Sequence, residues 1–325
     1  MPVVGTAVLV AAVVGRPASA ASEKTKVSLV AYSTPKEAYA KIIDAFSDST
    51  NAGRNASFSQ SYGSSGEQTR AVIAGLPADV VALSLEPDVD LLVRAGKVPN
   101  SWKRARWGGM IHDSVVVFVV RDGNPKKIRG WDDLVRAGIE VITPNPFTSG
   151  GARWNIMAAY GAQRKLGRSH KQAVGYLRRL FRHVPVQDKS AREALQTFAG
   201  GKGDVLLTYE NEAIFANKKG VRTDFVTPTQ TILIENPVAL TKSGLRKPEA
   251  RAFVAFLRKP AAQRIFAENG YRPRLKSAAR QFHFRRPRGL FTIRQAGIGG
   301  WAVAERRFFD PRNGIMARIN RSLGR

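Results

Sequence analysis

Short apolar runs, each closed by a Ser/Thr/Gly corner and followed by a helical stretch, recur along most of the chain. That order constrains the fold more than any other feature, because strand–corner–helix units stack into a sheet with helices on its faces. The run 27–31 (VSLVA) leads to Pro35 and Glu37 at the start of a helix that continues to about residue 46. A proline and an acid belong in that first turn. Residues 57–62 alternate as a strand and enter Gly63-Ser64-Ser65-Gly66, with a helix over 67–74. A strand over 78–83 (ADVVAL) precedes a helix over 88–95. A second series opens with 114–120 (SVVVFVV), apolar enough for a strand covered on both faces. Strands at 140–143, 184–186, 204–209, 225–228 and 232–234 then mix with helices at 151–166, 169–182, 192–199, 248–258 and 261–269. The spacing predicts an α/β protein with mostly parallel sheets. At 325 residues the chain has room for two lobes.

The N-terminal run 3–15 is apolar but too short to cross a bilayer, and Ala18-Ser19-Ala20 follows it as a small-residue cleavage pattern. An export signal cut after Ala20 is expected. The sequence has no cysteine, which excludes disulfides, thiolate metal sites, thiol catalysis and attachment of lipid to a terminal cysteine. A free periplasmic protein is the expectation. Lys and Arg number 52 against 25 Asp and Glu, a net charge of +27. Such an excess favours anionic company, whether nucleic acid, acidic lipid or a small oxyanion. Export makes nucleic acid the least natural of these partners, and none is expected.

The inventory of reactive groups is sparse. His112, His170, His183 and His283 are scattered without metal-ligand spacing. Neither an esterase elbow nor a phosphate-binding loop occurs. Gly200-Gly201-Lys202-Gly203 follows a helix and precedes a strand, the order of a C-cap turn rather than a nucleotide cradle. The clusters at 178–179, 285–288 and 306–307 lack interleaved aromatics and read as solvated faces. No enzyme activity, metal or cofactor is expected. What remains is four corners: Tyr32-Ser33-Thr34, Gly63-Ser64-Ser65-Gly66, Thr148-Ser149-Gly150-Gly151 and Lys189-Ser190-Ala191-Arg192. A helix start presents unpaired N–H groups and partial positive charge, glycine lets a ligand come close, and serine adds a hydroxyl donor. One such corner is an ordinary N-cap. Four in one α/β chain suggest a shared anion site at the carboxyl ends of the strands.

Several segments carry a resemblance. In order, YSTPKEAY (32–39), YGSSGEQ (62–68), ADVVALSLEPDVD (78–90), VITPNPFTSGGARWN (141–155), GDVLLTYENEA (203–213), NGYRPR (269–274), LFTI (290–293) and GGW (299–301) resemble the periplasmic sulfate/thiosulfate-binding proteins. The resemblance implies a two-lobe, type II periplasmic-binding-protein fold with a hinge. Lobe 1 would comprise 27–113 and 226–289, lobe 2 would comprise 114–225, and a basic segment over 290–325 would pack on both. It implies a monomer that closes on sulfate or thiosulfate and delivers it to the permease and ATPase subunits of an ABC importer. Carried over residue by residue, Ser65 offers its N–H, Ser149 its hydroxyl, and Gly150, Gly151 and Ala191 their N–H groups. Ser33 stands where well-known members have an aspartate, and Tyr209 where they have an indole donor. Asp88, Arg153 and Arg192 would stand beside the ligand rather than on it, or form simple salt bridges.

Sulfate at neutral pH accepts hydrogen bonds and has no proton to donate, so a pocket made only of donors satisfies it. Protonated phosphate needs an acceptor as well. Each unmatched polar contact in a dry site costs about 1–3 kcal/mol, and a stripped dianion needs charge-assisted bonds at most of its lone pairs. The departures at Ser33 and Tyr209 leave molybdate, tungstate or phosphate as alternative ligands. A secreted polyanion-binding protein is the alternative from another class.

Overall fold

The computed structural model describes Pro2 and residues 23–324. The export signal expected over residues 1–20, Pro2 apart, lies outside the described residues, as does its cleavage point. Strand β1 (Thr25–Tyr32) pairs in parallel with β2 (Ala56–Gly63) and β3 (Val80–Ala82). Helices Lys36–Ser49 and Ser65–Ile73 connect them. Long strand β4 (Met110–Arg121) follows, then β5 (Val141–Ile142), β6 (Val205–Tyr209) and β7 (Thr223–Val226). The second long strand, β8 (Gln230–Leu240), precedes the short β9 (Arg272–Pro273) and β10 (Gly289–Phe291).

These strands form one curled, hydrogen-bonded set in the order β2-β1-β3-β8-β4-β6-β5. The expectation of mostly parallel pairing needs correction: the sheet is mixed. Pairs β1–β2, β1–β3, β5–β6 and β8–β10 are parallel, but β4 and β8 run antiparallel to each other and to β6 and β3 respectively. The reason is connectivity. β8 pairs β3 at residues 238–240 and β4 at 233–237, while β4 goes on to pair β6 at 116–120. Each long strand thus pairs with strands of two parts of the sheet and crosses between them.

Two main cores flank this crossing. In one, Tyr39, Phe46, Phe253 and Phe266 pack edge-on, with ring centroids of Phe46 and Phe253 5.4 Å apart and Tyr39 and Phe266 5.7 Å apart. Such pairs add about 0.5–1.5 kcal/mol each beyond area burial. In the other, helix Gly150–Lys165 is buried on nearly every side, between β8, helix His170–Arg182 and the C-terminal segment. Trp154 stacks edge-on against Trp301 at 4.7 Å, and Tyr160 against Phe308 at 4.8 Å.

One local expectation changes, and one segment gains detail. Residues 184–186 form no strand: Pro185 has no N–H to give a ladder, and the bond to β5 comes from the residue before the segment, where the His183 carbonyl accepts from Val141 N at 2.8 Å. The Arg-rich end is folded. It forms helix Trp301–Ala304, a π-type turn Glu305–Phe309 and helix Ile315–Ser322, whose Phe308, Phe309, Ile315, Met316 and Ile319 are buried in the second core.

Candidate functional site

Parallel pairing puts the carboxyl ends of β1, β2 and β3 on one side, and the corners after them follow suit. β5 and β6 do the same across the crossing. The result is that corners distant in sequence touch. Gly66 N donates to the Thr148 carbonyl at 3.0 Å, joining the second corner to the third. Thr148 Oγ1 donates to the Lys189 carbonyl at 2.8 Å, joining the third to the fourth. Arg192 Nη2 donates to the Thr34 carbonyl at 3.0 Å, joining the fourth to the first.

Glycine is required where these corners meet. A Cβ on Gly150 would stand 2.5 Å from Ser84 Oγ and 2.6 Å from Ser84 Cβ. A Cβ on Gly151 would stand 3.0 Å from the Tyr209 ring, 3.2 Å from Ala191 Cβ and 3.4 Å from Ser149 Oγ. Ser65, Ser149, Gly150, Gly151, Ala191 and Tyr209 are all buried. Six of the seven expected ligand-binding residues therefore lie in one enclosed region. Ser33 is half-buried beside it, in the turn after β1, and its side chain makes no hydrogen bond among the described residues. Open clefts of about 570 and 760 Å³ lie elsewhere and include none of these residues in their walls.

The donors can be followed individually. Helices begin at Ser65, Gly150 and Ala191. Among the described residues, no protein acceptor meets the N–H of Ser65, Gly150, Gly151 or Ala191. Those are the first-turn groups a helix leaves unpaired. Ser149 Oγ accepts from Ala152 N at 3.3 Å as the N-cap, which occupies a lone pair and leaves its proton to donate. Ser65 Oγ differs. It donates to Asp88 Oδ2 at 2.5 Å and accepts from Ser84 N at 2.9 Å, so only its backbone N–H remains.

Tyr209 closes the set. Its hydroxyl meets Ser84 Oγ at 2.6 Å. Two hydroxyls sharing one bond between them keep one O–H to direct elsewhere, whichever of them donates. Burial pushes the Tyr209 phenol well above its ordinary value, so it remains a donor at neutral pH. Ser84 was not anticipated. Its carbonyl accepts from Trp154 Nε1 and Asn236 Nδ2, both at 3.0 Å, which holds it rigidly over Gly150. Its only mark in the sequence is its position just after β3, and that is where ordinary capping residues also occur.

The charged neighbours stand back from the donors. Burial pushes the Asp88 carboxyl up, against the pull of Arg153 and the Ser65 hydroxyl. Arg153 is held by both Glu305 oxygens, at 2.8 and 2.9 Å, and by the Pro146 carbonyl. Arg192 spans the crossing: it reaches Glu37 Oε1 at 2.8 Å and Glu212 Oε2 at 2.9 Å. Burial pulls its guanidinium down, but Glu212 and Glu37 outweigh that and hold it above its ordinary value. All three residues are engaged by protein partners. The arrangement offers converging neutral donors to a small anion, with no nucleophile–base pair among them.

Known proteins resemble the chain in sequence and fold. The family model described as bacterial extracellular solute-binding protein matches residues 27–272. The sulfate-binding protein of Synechococcus elongatus is 42% identical over 298 residues, covering 88% of this chain and 84% of that protein. The sulfate-binding protein of Escherichia coli K12 is 39% identical over 292 residues, covering 86% and 88%. The solved structure of the sulfate-binding protein SubI from Mycobacterium tuberculosis H37Rv superposes with a TM-score of 0.84 at 43% identity, covering 88% of this chain and all of that one. More distant solved structures, at 18% identity or below, share the fold.

Proposed function

The chain belongs to the bacterial extracellular solute-binding proteins, and on that premise we propose that it captures sulfate or thiosulfate between two lobes for an ATP-driven importer. The observation that carries this reading is that the helix starts at Ser65, Gly150, Gly151 and Ala191 gather in one buried region, and that their first-turn amides have no protein acceptor among the described residues. The Ser149 hydroxyl and the Tyr209–Ser84 pair complete the donors. Asp88, the nearby carboxylate, already accepts from Ser65. Sulfate, having no proton, needs no acceptor, whereas a protonated phosphate needs one.

The proposed motion is a hinge at the crossing of β4 and β8, with the lobes divided as 27–113 with 226–289 against 114–225. The pairing of residues 112–115 with 233–236 supports that position, because it brackets the point at 113–114 where β4 would pass from one lobe to the other. Packed amides at helix starts lose little entropy when the ligand arrives, and the ligand's charge is met by peptide dipoles instead of mobile cations. Binding needs no covalent step. Ser33 would add a donor on closure. The protein would work in the periplasm, after removal of residues 1–20, and pass its anion to the permease and ATPase subunits.

Calorimetric titration of anion-free protein with sulfate, thiosulfate and phosphate tests the reading. Saturable binding of sulfate or thiosulfate, with phosphate weaker, supports it. Absence of sulfate binding at low ionic strength rejects it.

A further inference from the structure

The anion site uses none of the surface charge. From Gly150 to Gln187 the sequence contains eight Lys and Arg residues and no Asp or Glu, so the positive charge there has no local counterweight. Helix His170–Arg182 buries Ala173, Tyr176, Leu177, Leu180 and Phe181 and turns Lys171, Arg178, Arg179 and Arg182 outward. The C-terminal helix Ile315–Ser322 packs beside it, with Gln187 Nε2 reaching Asn320 Oδ1 at 3.5 Å, and adds exposed Arg318 and Arg321. Arg307 extends the patch to the start of the first helix, where its charge bears on Tyr160 and His170. Acids at the margin are already taken: Asp132 by Arg168 at 2.9 Å, Asp133 by Arg136 at 3.6 Å and Glu305 by Arg153. Among the described residues no salt bridge reaches Lys171, Arg178, Arg179, Arg182, Arg318 or Arg321.

We propose that this two-helix face docks the protein on an anionic phospholipid surface. Thirteen helical residues extend about 20 Å, enough to lie across several headgroups. Leu166, at the turn leading into that helix and flanked by Lys165 and Arg168, is 46% exposed, more than the other exposed large apolar side chains among the described residues. Cations around a protruding aliphatic side chain suit the headgroup layer, where charge meets phosphate and the apolar tip enters. Nucleic acid is served less well, because no aromatic ring stands among the exposed large apolar residues to stack on bases.

The test is co-sedimentation of the full protein with phosphatidylglycerol/phosphatidylcholine vesicles and with pure phosphatidylcholine vesicles. Binding to the mixed vesicles alone, released by added salt, is the expected result. The triple variant R178Q/R179Q/R182Q should bind about a hundredfold more weakly, with its thermal midpoint and sulfate titration unchanged. A second variant, K41Q/K259Q/K276Q, removes the same charge from exposed lysines elsewhere and should bind nearly as well as the parent. Equal loss in both variants overturns the proposal, since net charge rather than this face would then be responsible. So does equal binding to neutral vesicles, or retention by duplex DNA without vesicle binding. Failure of sulfate titration in the parent protein would strike the anion-receptor reading and leave this one standing.

Discussion

The hydroxyl oxygens of Tyr209 and Ser84 stand 2.6 Å apart, although 125 residues separate them. One follows β3 and the other ends β6, so their bond ties those two parts of the sheet together beside Gly150. Tyr209 thereby acts on two things at once, the closed arrangement and the donor set. Tyr209→Phe should keep the fold, because the ring remains in place, and lose one charge-assisted contact. Sulfate affinity is expected to fall by about 1–3 kcal/mol. Calorimetry checks it; unchanged affinity would remove Tyr209 from the donor set and leave the Ser84 hydroxyl as the donor there.

Gly150→Ala is the sharper steric test. The added methyl would meet Ser84 Oγ at 2.5 Å and Ser84 Cβ at 2.6 Å, and Ser84 is fixed through its carbonyl and its N–H. Overpacking of this kind costs about 1–3 kcal/mol. Because the clash lies between lobes, it should appear as weaker sulfate binding, with the melting of anion-free protein little changed. A normal titration curve for this variant would show that the two lobes do not meet at Gly150 in the bound state.

Arg192→Met should act on stability. It removes the partner of Glu212, which has no exposed surface, and of Glu37 on the opposite side. Leaving a buried carboxylate unpaired costs about 3–5 kcal/mol. Chemical denaturation should show a loss of that size, and the double variant Arg192→Met/Glu212→Met should recover much of it. A double variant no more stable than the single one would mean the guanidinium's other contacts, such as the Thr34 carbonyl, matter more.

His112 predicts a pH dependence. It is buried on β4 against Phe266 and Tyr271, and burial, with help from Arg274, lowers its value from 6.5 to about 3. A base depressed in the folded state takes up its proton more readily when unfolded. Its contribution is therefore present above pH 6.5 and is lost progressively as pH falls from there toward 3, with a slope of at most about 1.4 kcal/mol per pH unit. Denaturation midpoints measured across this window should decline more steeply for the parent than for His112→Phe. Parallel declines would assign the acid sensitivity to other groups.

Much of the fold was legible because local signals and tertiary demands agree. The run 114–120 is a buried strand on apolarity alone, Ser149 and Ser190 cap the helices that follow them, and Gly200 ends the helix Ala191–Ala199. The strand expected at 184–186 failed because apolar residues flanking Pro185 imitate a strand without being able to pair as one. The C-terminal helices were hidden by arginines that face outward while Phe308, Ile315 and Ile319 face the core.

By itself the sequence determined the strand–corner–helix order, the capping residues, the absence of thiol chemistry and the charge excess, all properties that neighbours along the chain decide. It did not determine that β4 and β8 run antiparallel across two lobes, that Ser84 faces Gly150, or that Arg192 bridges Glu37 and Glu212. Those are meetings of residues far apart in sequence, set by which sheet edges pair and how closely the lobes approach. A capping motif looks the same whether its amides face water or a common anion site, so only the packed structure distinguishes the two.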